Sequence, residues 1–138
     1  MSFLLDTNVV SELRRRAPNP LVVRWFQKVR SSEIYLSVLT LGEIRQGIEQ
    51  LRSKDQVAAA SLEAWLQGLV ATYRGHIVGI DAVVAERWGR LNVPDRVPAI
   101  DGLLAATALV NDWTLVTRNV DDINRTGVRF LNPFVESP

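Results

Sequence analysis

The sequence contains no cysteine, a single histidine and no Gly-rich phosphate-binding loop. Without cysteine, disulfides, thiolate metal sites and a cysteine nucleophile are excluded, and a reducing cytoplasm is the expected setting. His76 is the only candidate base for a Ser-His-Asp triad, and its position at the start of a predicted strand favours a solvated or core-edge side chain. Because neither G-x-G-x-x-G nor the P-loop pattern occurs, the chemistry must depend on carboxylates and a cation.

Long apolar runs and a strong net charge are also missing. No run approaches the roughly 20 residues that a membrane span requires, and Asp6 interrupts the apolar N-terminus too early for a signal peptide. We therefore expect a cytoplasmic protein with one domain over residues 1–138. The net charge is +1, and lysine occurs only at positions 28 and 54, so arginine supplies nearly all positive charge. Arginine suits bidentate phosphate contacts, although a coding bias explains this composition equally well.

Short apolar runs alternate with amphipathic segments along the chain. The runs predict strands over residues 2–6, 34–37, 77–80, 113–117 and 129–131. The amphipathic segments predict helices over residues 9–16, 21–30, 40–51, 56–73 and 82–91. Residues 101–111 are apolar on almost every face, which predicts a central, buried helix. This alternation predicts an α/β fold with layers of helices on a largely parallel sheet.

Three carboxylates lie beside or within apolar runs, where an unpaired charge is expensive. They are Asp6 in Leu-Leu-Asp-Thr-Asn, Glu43 in Thr-Leu-Gly-Glu and Asp101 in Ala-Ile-Asp-Gly-Leu-Leu. Burying such a group costs several kcal/mol, roughly, unless it is paired, hydrogen-bonded or bound to a cation. Clusters of oxygen ligands suit Mg²⁺ or Mn²⁺, so the three acids together predict a shared metal site.

Each acid taken alone also has a purely structural interpretation. Asp6 is equally well placed for an Asx turn or a helix cap. Thr40 and Glu43 match a capping box, in which Glu43 reaches back to the Thr40 amide, and this is the favoured interpretation of that motif by itself. Asp101 is equally well placed to cap its own helix. Only the combination of the three favours a metal site.

Four motifs in order resemble the PIN domain, and in particular VapC-type toxin ribonucleases of bacterial toxin–antitoxin pairs. The motifs are LLDTNVVSEL at 4–13, YLSVLTLGEIRQGI at 35–48, IDGLLAATAL at 100–109 and LVTRNVDDI at 115–123. The resemblance covers nearly the full chain and implies a three-layer α/β/α fold with a mostly parallel central sheet. The Ser-Glu-Leu and Asn-Pro-Phe motifs resemble the branch whose antitoxins carry a ribbon-helix-helix domain.

The resemblance also implies a site. Asp6, Glu43 and Asp101 match the acids that hold one or two Mg²⁺ or Mn²⁺ ions in the family. At the fourth position some members have an acid, whereas this chain has Asn119, and Asp122 three residues later is the alternative. Thr7, Asn8 and Thr117 are expected to orient the ligating carboxylates. The candidates for guiding the RNA backbone are Arg14, Arg15, Arg16 and Arg118, although a solvated helix face is the default for the first three.

The expected activity is hydrolysis of RNA phosphodiesters through in-line attack of water, which leaves 5′-phosphate and 3′-hydroxyl ends. The resemblance implies a cognate antitoxin, RNA as substrate and a homodimer. One alternative is a PIN-like binding module with weak catalysis, which Asn119 keeps open. A phosphatase of the haloacid dehalogenase type is less favoured, because that chemistry needs Asp-x-Asp and this chain has Asp6-Thr7-Asn8. A receiver domain is disfavoured, because it needs a lysine near the last strand.

Overall fold

Five short parallel strands form one sheet in a computed structural model that describes residues 1–136. The strands are β1 (Phe3–Leu5), β2 (Ile34–Ser37), β3 (Ile77–Val78), β4 (Thr114–Val116) and β5 (Phe130–Leu131). Their order across the sheet is β3-β2-β1-β4-β5, and every neighbouring pair is parallel. The central strand β1 pairs Phe3 with Ile34 on one side and with Thr114 on the other.

Seven α-helices cover the two faces of the sheet, which confirms the predicted three-layer α/β/α fold. They are α1 (Thr7–Arg14), α2 (Pro20–Lys28), α3 (Val38–Arg52), α4 (Gln56–Thr72), α5 (Ala82–Leu91), α6 (Ala99–Asn111) and α7 (Val120–Ile123). Two 3-10 turns complete the described elements at Ser31–Glu33 and Asn124–Thr126. None of the helices within residues 1–136 is long and apolar enough to cross a membrane.

Side-chain alternation along the strands divides the core into two clusters. Leu5 and Leu36 face helices α1 to α4, while Leu4 and Leu115 face the opposite layer, where α6 is the principal helix. Helix α6 is apolar on most of its surface and buries a continuous run from Leu104 to Ala108. The prediction of a central, buried helix in this segment is therefore confirmed.

Three predicted helix starts are wrong, and the capping interactions explain each. Asp6 itself caps α1, so this helix begins at Thr7 rather than at residue 9. Ser37 caps α3 by accepting a 3.0 Å hydrogen bond from the Leu39 amide, so the helix begins before Thr40. The capping box of Thr40 with Glu43 is consequently wrong. Helix α6 begins at Ala99 after Pro98, so Asp101 lies in its first turn and is not its cap.

Candidate functional site

Two residues of the site, Asp6 and Thr117, lie at the carboxyl ends of β1 and β4. Parallel strands end at the same edge of a sheet, and ligand sites of open α/β sheets lie in the crevice outside that edge. Asp6 follows β1 directly, and its amide donates a 2.9 Å hydrogen bond to Val116 O, which continues the β1–β4 pairing by one residue. Thr117 follows β4, and its hydroxyl donates a 2.7 Å hydrogen bond to Asp6 Oδ2.

Asp6 is 5% exposed and is held by three donors. The Thr7 amide donates to Oδ1 at 2.7 Å, while Thr117 Oγ1 and the more distant Asn8 Nδ2 donate to Oδ2. A carboxylate offers about four acceptor positions, so one remains for a cation. Burial raises the pKa of Asp6; the bonds from Thr117 and Thr7 act in the opposite direction, and the negative charge of Glu43 adds to the rise.

Glu43 reaches the same place from α3. The Thr7 hydroxyl donates a 2.5 Å hydrogen bond to Glu43 Oε1 and lies 3.2 Å from the hydroxyl of Thr40. The Thr40 side chain is fully buried one helical turn before Glu43. Thr7 therefore links Glu43 to the end of β1, where Asp6 lies. Glu43 bonds to Thr7, which is 36 positions away in the sequence, instead of to the Thr40 amide as the expected capping box requires.

Asp101 lies in the first turn of α6 on the opposite side of the cavity. Burial, the charge of Asp6 and the charge of Asp122 raise the pKa of Asp101 to about 6. The neighbouring Asn119 side chain acts against this rise in pKa by favouring the ionised form, whereas the Asp122 side chain adds to it. Both candidates for the fourth position therefore influence the ionisation of Asp101.

One open cavity of about 530 Å³ collects these residues. Its polar lining includes six of the residues singled out from the sequence, namely Asp6, Thr7, Asn8, Glu43, Asp101 and Asn119. Asp122 instead lines an adjoining cavity, of about 380 Å³, between the segment 93–98 and the segment 121–126. Asn119 thus lines the cavity that contains the three acids, whereas Asp122 lines the adjoining one.

The predicted arginines occupy different positions. Arg14, Arg15 and Arg118 line a groove of about 470 Å³ that also includes Thr7, Asn8 and Glu43. Arg16 is exposed and lines neither this groove nor the acidic cavity. His76 stacks on Tyr35 and its Nδ1 lies 2.9 Å from Ile34 O, so it is a core-edge histidine, as predicted.

Two residues near the site were missed by the sequence analysis. The sequence around Thr40 predicts a helix cap, and nothing in this local pattern indicates the contact of Thr40 with Thr7. Glu12 lies within the first motif, and in the structure it is 5% exposed and accepts a 2.8 Å hydrogen bond from the Asn19 amide. A signal for Glu12 was available, because it is three residues after Val9 and therefore lies on the buried face of α1.

The oxygen donors at the site fit a hard divalent cation. Asp6, Glu43 and Asp101 are acids of one cavity, and the charges of Glu43 and Asp6 raise the pKa values of Asp6 and Asp101, respectively. This mutual repulsion would be relieved by a cation. Within residues 1–136, no three acidic or histidine side chains are already drawn together into a ligand shell, so an ion would have to bring them closer.

Comparison with known proteins gives the family. The profile of the PIN domain matches residues 3–128. The chain is 33% identical to toxin FitB of Neisseria gonorrhoeae, over 95% of this chain and 97% of that protein. It is 25% identical to the VapC ribonuclease Y4jK of Sinorhizobium fredii, over 95% and 96% of the two chains.

Solved structures agree with this assignment. The crystal structure of FitAcB from Neisseria gonorrhoeae superposes with a TM-score of 0.89 at 31% identity, covering 96% of this chain and 98% of that one. A structure of FitAB bound to a DNA fragment gives a TM-score of 0.85 at 30% identity, covering 99% and 98%. The haloacid dehalogenase and receiver interpretations therefore have no support. The chain belongs to the PIN domain family.

Proposed function

We propose that this protein is the toxin of a toxin–antitoxin pair and acts as a ribonuclease that depends on Mg²⁺ or Mn²⁺. The observation that carries the proposal is the convergence of Asp6, Glu43 and Asp101 on one cavity at the carboxyl edge of the sheet. The likeness to toxin FitB and to a VapC ribonuclease over nearly the whole chain supports the same function. The phosphodiester backbone of RNA is the substrate class.

The residues of the cavity have different proposed roles. Asp6 and Asp101 would hold the cation, and Thr117, Thr7 and Asn8 fix the orientation of the Asp6 carboxylate through their hydrogen bonds. When bound, the ion supplies positive charge for the phosphate and makes a water more acidic. Glu43, anchored by the Thr7 hydroxyl, orients the attacking water or binds a second ion. The Asn119 amide favours the ionised form of Asp101 and so acts against the rise in its pKa.

The replacement of an acid by Asn119 reduces the negative charge of the cavity. An amide oxygen ligates weakly and adds no charge, so we propose that Asp122 supplies the missing charge from the margin of the site. Asp122 is exposed, and its negative charge raises the pKa of Asp101, which supports a position next to the proposed ligands.

We further propose a cognate antitoxin as partner, with a DNA-binding domain of the ribbon-helix-helix type, and a homodimeric toxin in the cytoplasm. The FitAB complex with DNA, to which this chain is similar, supports an assembly of this kind. Size-exclusion chromatography with light scattering on the isolated chain, and on the chain co-expressed with its neighbouring gene product, tests both proposals. A strictly monomeric chain that recruits no partner would contradict them.

The decisive test is cleavage of total cellular RNA by purified, antitoxin-free protein with Mg²⁺, with Mn²⁺ and with EDTA. We expect discrete products with 5′-phosphate ends that require metal and are absent with Asp101→Asn. If the folded protein cleaves nothing with either metal, the alternative of a catalytically weak binding module replaces the ribonuclease.

A further inference from the structure

The groove beside the acidic cavity is lined by three arginines and two acids, so its positive side chains outnumber its negative ones by one. It shares Thr7, Asn8 and Glu43 with the cavity, so the two form one continuous depression. Its remaining lining includes three arginines, one buried acid and a tryptophan, namely Arg14, Arg15, Arg118, Glu12 and Trp65. A polyanion that is cleaved at the acids needs positive charge along its path.

The cavity on the other side of the acids has the opposite balance. It joins the acidic cavity at Pro98, and its charged lining is Asp95, Arg96, Asp121, Asp122 and Arg125. Arg125 already forms a 3.0 Å ion pair with Asp95. Within residues 1–136, Asp121, Asp122 and Arg96 form no ion pair, so the acids on this side outnumber the arginines by one. This balance makes the side unfavourable for a phosphate. This difference in charge between the two sides of the acids favours the groove lined by α1, here called the α1 groove, as the path of the RNA strand.

Arg118 is the arginine whose position relative to the acids is fixed most firmly. Its backbone amide donates to Asn8 Oδ1 at 3.3 Å, and Asn8 in turn donates to Asp6. Its neighbour Thr117 donates directly to Asp6. The guanidinium carbon lies 3.7 Å from the centre of the Phe134 ring, a cation–π contact that fixes the plane of the side chain.

Glu12 lies behind the same guanidinium. Arg118 Nη2 is 3.9 Å from Glu12 Oε1, which is too long for a hydrogen bond, and the Arg118 side chain is 54% exposed. The Glu12 carboxylate accepts a 2.8 Å hydrogen bond from the Asn19 amide and a 3.2 Å hydrogen bond from Arg15 Nη1. Glu12 therefore orients Arg118 by charge while leaving its N–H groups free. Within residues 1–136, no acceptor takes a hydrogen bond from that guanidinium.

We propose that Arg118, positioned by Glu12 and Phe134, binds a phosphate of the RNA backbone that flanks the cleaved phosphodiester, on the side of the α1 groove. The proposal rests on the proposed ribonuclease function, because it assumes that RNA lies across the acidic cavity. A planar guanidinium with free N–H groups matches a phosphate in bidentate geometry. Arg118 contacts substrate, whereas Glu12 and Phe134 act only as positioning residues.

The test measures RNA binding separately from cleavage. Fluorescence anisotropy of a labelled single-stranded RNA is followed in EDTA, so that no metal-dependent cleavage interferes, at several salt concentrations. For Arg118→Ala we expect Kd to rise about tenfold. The plot of the logarithm of the association constant against the logarithm of salt concentration should also become less steep, by about 0.7, the value for one lost phosphate contact on a single strand. With metal present, we expect KM to rise while kcat is largely retained.

Arg30→Ala is the matched control. It removes the same charge, but Arg30 precedes β2 at the amino edge of the sheet, opposite the acids, and its side chain is 84% exposed. We expect this variant to keep the wild-type salt slope. An Arg118→Ala variant whose Kd and slope both equal those of the wild type would overturn the proposal, as would a wild-type chain that binds no RNA.

Glu12→Gln and Phe134→Leu test the positioning role. Glutamine still offers an oxygen to the Asn19 amide, and both variants keep the charge of Arg118. We therefore expect a several-fold rise in Kd with an unchanged salt slope and an unchanged kcat. If these variants lower only the melting temperature and leave Kd unchanged, Glu12 and Phe134 do not position Arg118.

The ribonuclease proposal and the phosphate-site proposal fail differently. A wild-type chain that binds RNA with an Arg118-dependent slope, yet cleaves nothing with Mg²⁺ or Mn²⁺, would refute the nuclease and support the phosphate site. Metal-dependent cleavage with a KM that is insensitive to Arg118→Ala would support the nuclease and refute the phosphate site.

Discussion

The Thr117 hydroxyl donates a 2.7 Å hydrogen bond to Asp6 Oδ2 across 111 positions of sequence. Both side chains are buried at the carboxyl ends of adjacent parallel strands, Asp6 after β1 and Thr117 after β4. The bond therefore fixes the orientation of the acid by means of the sheet itself. Because Asn8 and Thr7 complete the set of donors, Asp6 is oriented before any ion arrives.

Thr117→Val should weaken both stability and metal binding. Valine has nearly the same shape but no hydroxyl, so a buried carboxylate loses its shortest side-chain donor. We expect the free energy of unfolding to fall by about 1–3 kcal/mol. We also expect the metal affinity or activity to fall by about 10- to 100-fold, as for other groups that orient ligands. Chemical denaturation and calorimetric metal titration measure the two effects.

Thr114→Val is the control for this change. Thr114 is also buried in β4, but it lies at the opposite end of the strand from the acidic cavity. Metal affinity should equal that of the wild type. Equal losses of metal affinity in both variants would show that the strand, and not the Thr117–Asp6 bond, determines binding.

The sequence predicted the sheet, its parallel pairing and the placement of Asp6, because each depends on local pattern and on rules that hold for all α/β folds. It did not predict the role of Thr40. The tetrad from Thr40 to Glu43 has the composition of a capping box, but Ser37 caps α3 first, at the very end of β2. Which of two adjacent candidates caps a helix depends on where the strand stops, and the pattern leaves that open by a few residues.

Hydrogen bonds between segments that are distant in the sequence could not be predicted for a different reason. The bonds of Thr7 with Glu43 and of Asn8 with the Arg118 amide join elements that meet only in the folded sheet. Likewise, local pattern did not distinguish Asn119 from Asp122, whereas the structure places one in the cavity and the other at its margin.

Glu43→Gln separates catalysis from folding. Glutamine keeps an oxygen that accepts the Thr7 hydroxyl, so the anchor survives and the charge is lost. We expect activity to fall at least about 100-fold, in the range that loss of a general base causes, with a melting temperature close to that of the wild type. RNA cleavage and thermal unfolding are the measurements.

Glu49→Gln in the same helix serves as the matched control. Glu49 is exposed and pairs with Arg45 and Arg52 on the surface of α3, so its loss should change the melting temperature little, because solvent screens surface ion pairs. Activity should be unaffected. A Glu43→Gln variant with wild-type activity would remove Glu43 from the catalytic group.

Asp101→Asn should stabilise the metal-free protein above pH 6. The folded-state pKa of Asp101 is raised from 3.8 to about 6, because burial and the charges of Asp6 and Asp122 disfavour ionisation. The folded state therefore binds more protons than the unfolded state between these values, and its stability declines as pH rises from about 4 to about 6. Asparagine does not titrate, so the variant escapes this decline.

The measurement is thermal unfolding in EDTA across this pH range. The variant should have the higher melting temperature near neutral pH, and its advantage should shrink toward about pH 4. Saturating Mg²⁺ should reverse the order, because only the wild type gains stability from binding, by about 2.7 kcal/mol at one hundred times Kd. A variant with no advantage in EDTA at any pH would contradict the electrostatic argument.

Gly102→Ala should displace Asp101 by altering the packing between α5 and α6. A Cβ atom at Gly102 would lie 3.2 Å from both Cδ1 and Nε1 of Trp88, closer than ordinary van der Waals contact. The Trp88 Nε1 atom that the new Cβ would approach is already buried, and it has no hydrogen-bond partner among the described residues. We expect a loss of about 1–3 kcal/mol in the free energy of unfolding, as for other overpacked cores.

Gly89→Ala distinguishes this steric effect from the intrinsic preference of alanine for helices. Gly89 is adjacent to Trp88 in α5, and a Cβ there meets no atom within 4 Å. The variant should therefore gain about 0.5–1 kcal/mol and keep its activity. Activity should fall only in Gly102→Ala, because Gly102 follows Asp101 directly and any shift of α6 moves the carboxyl that faces Asp6. Equal stabilisation by both substitutions would show that α5 and α6 have room to accommodate the added methyl group.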